Sequence, residues 1–152
     1  MPAMKADDIY CKVLRELANL LEDSLLVQTE AWFMDGIRFQ CNLDQQDGIR
    51  PKVLLYCDFG VLPDRATQAA YAFFLTSNVF LFGEGEGAYC LIPGTTRIVL
   101  CLSIELHDFS VAGLFIRSRQ MAEMSSLWRA EQPTTKSTDM SGSSLSCQVH
   151  LM

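Results

Sequence analysis

Apolar residues recur at every fourth position through "ADDIYCKVLRELANLLED": Ile9, Val13, Leu17 and Leu21, with Leu14, Ala18 and Leu25 widening the stripe. That spacing predicts an amphipathic helix, with Asp7 or Asp8 as its N-cap. The period then drops to two in "SLLVQTEAWFMDGIRFQCNL", where Asp35-Gly36 separates two alternating runs and marks a two-residue hairpin. In the second run Ile37, Phe39, Cys41 and Leu43 face one way while Arg38, Gln40 and Asn42 face the other, as in a half-buried antiparallel sheet. After the polar loop "DQQDGIRP", "KVLLYCDFGV" supplies a third strand with Val53, Leu55, Cys57 and Phe59 on one face.

"LPDRATQAAYAFFLTSNVFLF" returns to a helical pattern, with Asp64 as candidate N-cap and Ala69, Ala70, Phe73, Phe74 and Leu75 as an apolar surface wider than one core contact requires. Two strands follow, "AYCLIPG" and "RIVLCLSIEL", joined through Pro93-Gly94-Thr95-Thr96. "HDFSVAGLFIRSRQMAEMSSLWRAEQ" predicts a last helix started by Asp108 or Ser110. The expected fold is α+β: a helix-β-β-β-helix-β-β-helix two-layer sandwich with a twisted, mostly antiparallel sheet. Beyond Gln132 the composition turns to Ser, Thr, Gly and Asp, which bury too little apolar area to offset ordering entropy. The expectation is one domain over 1–132 and a disordered tail over 133–152.

The glycines of "LFGEGEGAYCLIPG" suggest a phosphate loop, but Glu84 and Glu86 would repel an anion, no Lys-Ser or Lys-Thr follows, and the helix precedes the strand instead of following it. The segment reads as a connection. A net charge of -6 gives no basic stripe for nucleic acid. Charged residues through the first twenty-five positions exclude a signal-peptide hydrophobic region, and no uncharged apolar run reaches membrane-spanning length, so a cytoplasmic location is expected without membrane insertion. The six cysteines, Cys11, Cys41, Cys57, Cys90, Cys101 and Cys147, form no close ligand pair, which argues for reduced thiols in a reducing compartment and against a metal site. No cofactor is implied.

The order of elements, and "VLPDRATQAAYAFFLTSNVFLFGEGEGAYCLIPGTTRIVLCLSIEL" above all, resembles the Tir chaperone (CesT-like) family of class I type III secretion chaperones, small acidic cytosolic proteins of Gram-negative bacteria. The shared features are a Leu-Pro entry, a long helix ending near an Asn, a glycine-bearing loop, a two-strand unit and a last helix closing on Trp128-Arg129. The serine-rich tail is longer than that pattern. The resemblance implies a homodimer that binds the N-terminal region of a secreted effector protein as an extended segment, keeps it soluble and secretion-competent, and breaks no bond. Strand addition with alternate side chains in pockets is a physical route to such binding.

On that reading Val27, Trp32, Phe33, Phe39 and Leu14 are candidates for client contact. Trp32 and Phe33 lie on opposite faces of one strand, so at most one enters the core. Ala69, Ala70, Phe73 and Phe74 are candidates for a dimer interface, with core packing as the alternative for the two phenylalanines. Met121 and Met124 fit helix packing or an adaptable surface. Two rival classes remain: a regulatory or small-molecule-binding α/β module, and a small enzyme using Cys101 or Cys57 with His107. Against the enzyme, Cys101 lies mid-strand among apolar residues, where a thiol pKa rises.

Overall fold

The computed structural model describes residues 4–46, 49–62, 67–83, 87–131 and 150–151. In α1 (Ala6–Leu21), Tyr10, Val13, Leu14 and Leu17 turn inward. Its N-cap is Lys5, without a side-chain hydrogen bond; Asp7 and Asp8 lie inside the first turn, where their charge still favours the helix. Glu22 adopts a left-handed conformation (φ 53°) and stops the helix, which leaves Leu25 outside it.

The alternating run expected from Ser24 onward begins later. Asp23 accepts a hydrogen bond from the Leu25 N–H at 3.0 Å, and Leu26–Thr29 coils into a single helical turn, α2. Only then does the chain extend into β1 (Ala31–Met34), which turns at Asp35 (φ 52°) and Gly36 (φ 77°) into β2 (Ile37–Asp44). Two positive φ values in a two-residue turn give the mirror-image geometry that matches strand twist. β3 (Lys52–Val61), α3 (Thr67–Gly83), β4 (Gly87–Leu91), β5 (Arg97–Glu105), a 3-10 turn (Leu106–Asp108) and α4 (Val111–Ala130) follow. Ser110, of the two N-cap candidates, caps α4 by accepting from the Gly113 N–H.

The strands form one antiparallel sheet in the order β1-β2-β3-β5-β4, and β6 (His150–Leu151) adds beside β4. The expected α+β sandwich is therefore present. The sequence reading placed no strand in the tail; His150 and Leu151 form one, while the remainder of 133–152 lies outside the described residues, as do Asp64 and the pair Glu84 and Glu86. The core lies between one sheet face and the helices. Ile37, Phe39, Cys41, Val53, Leu55, Cys57, Phe59, Tyr89, Leu100 and Leu102 meet Leu14, Leu17, Phe74, Leu114 and Met121 there. A smaller cluster, Tyr56, Ala88, Cys90 and Val99, lies on the opposite sheet face.

Two local features fix strand geometry. Gly87 opens β4 so close to β5 that a Cβ would collide with the Cys101 carbonyl oxygen, so this glycine serves close backbone approach. β3 carries a bulge at Asp58–Gly60, with Gly60 at φ 100°. The Asp58 carboxylate accepts from the Gly60 N–H at 2.9 Å, and its two oxygens share the Arg97 Nη1 at 2.9 and 2.7 Å. Its backbone carbonyl accepts from Ser125 Oγ and Arg129 Nη2 on α4, at 3.0 and 3.1 Å, and Arg129 also lies 3.3 Å from the carboxylate, so Asp58 pins α4 to the bulge through both backbone and side chain.

Candidate protein-binding surfaces

One surface lies at the end of the sheet formed by α1, α2 and β1. The alternation of β1 decides between its two aromatics: Trp32 is 1% exposed and stacks on Phe39, whereas Phe33 is 67% exposed. Leu14 and Phe39 are likewise fully buried. Leu14, Trp32 and Phe39 are core side chains, a correction to their candidacy as client contacts, because a side chain already packed in the chain has no area left to offer. Val27, half-buried on α2, and Phe33 remain at the surface. Leu20, which the sequence did not single out, and Leu25, expected on the apolar stripe of the first helix, are exposed near them in the chain order. Tyr10 braces this end from α1: its hydroxyl donates to Glu30 Oε1 at 2.8 Å and reaches the Cys41 carbonyl at 3.1 Å.

A second surface is α3. This helix is apolar all round, and the fold buries only one side of it. Phe74 is fully buried against Phe59, Tyr89 and Trp128. Phe73, Leu75, Val79 and Phe80 are 46–70% exposed on the other side, with Ala69 also exposed and Ala70 half-buried. The four proposed interface positions therefore split: Ala69 and Phe73 face outward, Ala70 sits at the boundary, and Phe74 belongs to the core. Beside them α3 and α4 frame a groove of about 460 Å³ lined by Phe59, Ala70, Phe73, Tyr89, Met124, Leu127 and Trp128. Met121 is buried packing, and Met124 is exposed at this groove.

Cys41, Cys57 and Cys90 are buried and Cys101 is half-buried, and all four thiols are held in the protonated form. Burial pushes Cys41 and Cys101 up to about 12 and Cys90 up to about 11, and raises Cys57 further. At Cys101 the neighbouring Cys90 adds to this rise, and a hydrogen bond from Tyr56 opposes it. His107 lies on the exposed 3-10 turn, its ring 3.3 Å from the Asp108 carboxylate. Among the described residues Cys11, Cys41, Cys57, Cys90 and Cys101 are free thiols, and no cluster of His, Cys, Asp and Glu could hold a metal ion. No helix among them is long and apolar enough to cross a membrane.

A profile of the Tir chaperone protein (CesT) family matches residues 33–115, from the exposed aromatic of β1 through the first turn of α4. The chain belongs to the Tir chaperone family. Its assignment among type III secretion chaperones follows from that membership. A solved structure with the same fold is the chaperone-effector complex of HopA1 with SchA, matched at a TM-score of 0.60 and 17% identity over 85% of this chain and 99% of the other. No curated protein matches the sequence. The matched residues include Phe33 and all of α3, while α1, α2 and Val27 precede them.

Proposed function

We propose that this Tir chaperone acts as a cytoplasmic, non-enzymatic homodimer that holds the N-terminal region of a type III effector as an extended segment. The observation that carries the reading is the pair of separate apolar surfaces left uncovered by a single chain: the α3 face and the Phe33 end of the sheet. A monomer seldom leaves two such patches without partners. The α3 face suits a second copy, because a helix apolar on both sides must be buried on both. The Phe33 end suits the client, because it combines an exposed aromatic with a strand edge. Raised thiol pKa values and the exposed His107 support binding in place of catalysis. The net charge of -6 keeps such surfaces in solution and supports a protein partner over nucleic acid. The structural relative was itself solved with an effector.

Co-expression with candidate effectors tests the proposal. The wild-type chain should keep one effector soluble and copurify with it. Phe33→Asp and Val27→Asp, with unchanged circular dichroism, should lower recovery by roughly tenfold to a hundredfold, the loss expected when an aromatic or aliphatic anchor is removed. His107→Ala should leave recovery unchanged. Undiminished recovery in both Asp variants would overturn the client site.

A further inference from the structure

The two edges of the sheet differ in how their backbone groups are satisfied. On β4, the Tyr89 N–H donates to Asn78 Oδ1 at 2.6 Å, and the Tyr89 carbonyl accepts from Asn78 Nδ2 at 3.0 Å. One carboxamide on α3 thus fills the donor and acceptor that a neighbouring strand would take. Alternate residues present their backbone groups to the same edge, so Leu91 follows Tyr89 in facing away from β5. Leu91 is paired with His150, and Cys90 with Leu151.

β1 is different. Cys41 N–H donates to the Glu30 carbonyl at 3.0 Å, so Glu30, Trp32 and Met34 direct their backbone groups to β2, and Ala31 and Phe33 direct theirs outward. Thr29 Oγ1 lies 3.4 Å from the Ala31 nitrogen and 3.3 Å from its carbonyl oxygen. Phe33 carries both outward backbone groups and a 67% exposed ring.

We propose that Asn78, helped by the C-terminal strand, closes the β4 edge and thereby directs strand addition to β1 at Phe33, where the occupant is an extended apolar segment of the effector. β4 reads "GAYCL", an uncharged apolar strand that would pair with a second copy if its edge were open. An amide from the adjacent helix blocks that pairing without placing a charge in the core. The identity of the occupant rests on the chaperone reading above; the closure of β4 does not.

Amide hydrogen exchange on the full chain tests the closure. The Phe33 amide should exchange near the rate of an unstructured peptide, and the Tyr89 amide on the order of a hundredfold more slowly. Asn78→Leu, which keeps the volume and loses both hydrogen bonds, should speed Tyr89 by about tenfold or more and add higher-mass species in light scattering as β4 edges pair. Asn78→Asp, which keeps only the acceptor, should fall between. Tyr89 exchanging as fast as Phe33 in the wild type, or unaffected by Asn78→Leu, would overturn the closure; should Asn78→Leu fail to fold, the wild-type comparison decides. Phe33→Pro removes one outward N–H and spares the ladder to β2. It should abolish copurification of the effector recovered by the wild type while Tyr89 stays protected. Retained copurification would overturn the β1 assignment alone, and no recovery by the wild type would overturn the occupant together with the chaperone reading.

Discussion

Neighbouring phenylalanines on α3 should respond to substitution in opposite ways. Phe74 is fully buried against three aromatic rings, with Tyr89 at 4.8 Å, Trp128 at 5.3 Å and Phe59 at 6.4 Å between centroids. Truncating it to Ala removes that packing and leaves a cavity, at a cost of about 3–5 kcal/mol. Such a loss is a large fraction of the stability of a small domain. Phe73 and Phe80 are 58% and 70% exposed, so a second copy could newly bury well over half of each ring. If a fully buried Phe side chain contributes about 1.5–3 kcal/mol, each of these gives about 1–2, and the four rings of a symmetric dimer about 4–8. Phe73→Ser with Phe80→Ser should therefore weaken dimerisation by roughly a thousandfold to a millionfold. Sedimentation across a concentration series, read beside thermal unfolding at one low concentration, separates the cases. Phe74→Ala should melt early, and the double Ser variant should be a folded monomer. A double variant that sediments like the wild type, or a Phe74→Ala chain with unchanged Tm, would refute the assignment of the two faces.

Gly87→Ala should lower the urea midpoint through an overpacking cost of about 1–3 kcal/mol or more, since its Cβ meets first the Cys101 backbone, which cannot move aside as the Leu102 side chain can. Alkaline pH should destabilise the chain. The folded thiols titrate at about 12 for Cys41 and Cys101 and about 11 for Cys90, against an ordinary 9.0, so the folded state retains protons that the unfolded state releases. Their contribution is complete below pH 9 and falls away as pH rises from about 9 towards 12, which denaturant midpoints between pH 7 and 11 would reveal; a flat profile would contradict the burial. Ending the chain at Gln132 removes β6 and should shift Tm by no more than about 3 °C, because the core is formed upstream.

The alternation of β2 and β3 was legible because one side of each strand packs against the helices, and the inward residues read from the sequence join that core or, like Leu43, pack against it, while Tyr56 on the other side of β3 joins the smaller cluster. The same rule showed that Trp32 and Phe33 part company, but not which one goes in; that depends on the stack with Phe39 across the hairpin. α3 resisted reading for the converse reason. A helix apolar all round carries no phase, so Phe73 and Phe74 looked equivalent until Tyr89 and Trp128 chose between them. α2 and β6 are too short for periodicity, and α2 follows a local turn in which Asp23 accepts from the Leu25 N–H. Asn78 was read only as a helix-end marker. Its signal was an amide three residues from Leu75 and Leu81 in an apolar helix, where an unpaired polar group would be costly. The Asp58 cluster likewise announced itself in "YCDFGV", a charge inside an apolar strand two residues before a glycine.

That cluster bears on both binding surfaces, because it sets the position from which α3 takes its phase. Asp58 holds Ser125 and Arg129, and between them on α4 lies Trp128. Trp128 packs on Phe74, and Phe74 on Tyr89, whose backbone is held by Asn78 from the same helix. Turning α3 by one residue would rotate it by about 100°. Phe74 would leave the core, the outward row of Phe73, Val79 and Phe80 would swing from its surface, and Asn78 would part from Tyr89. The outward apolar face of α3 and the Asn78 contact at the β4 edge, on which the proposed dimer and client sites rest, are thus consequences of a single rotational setting. A buried polar contact specifies it where the apolar pattern of α3 cannot.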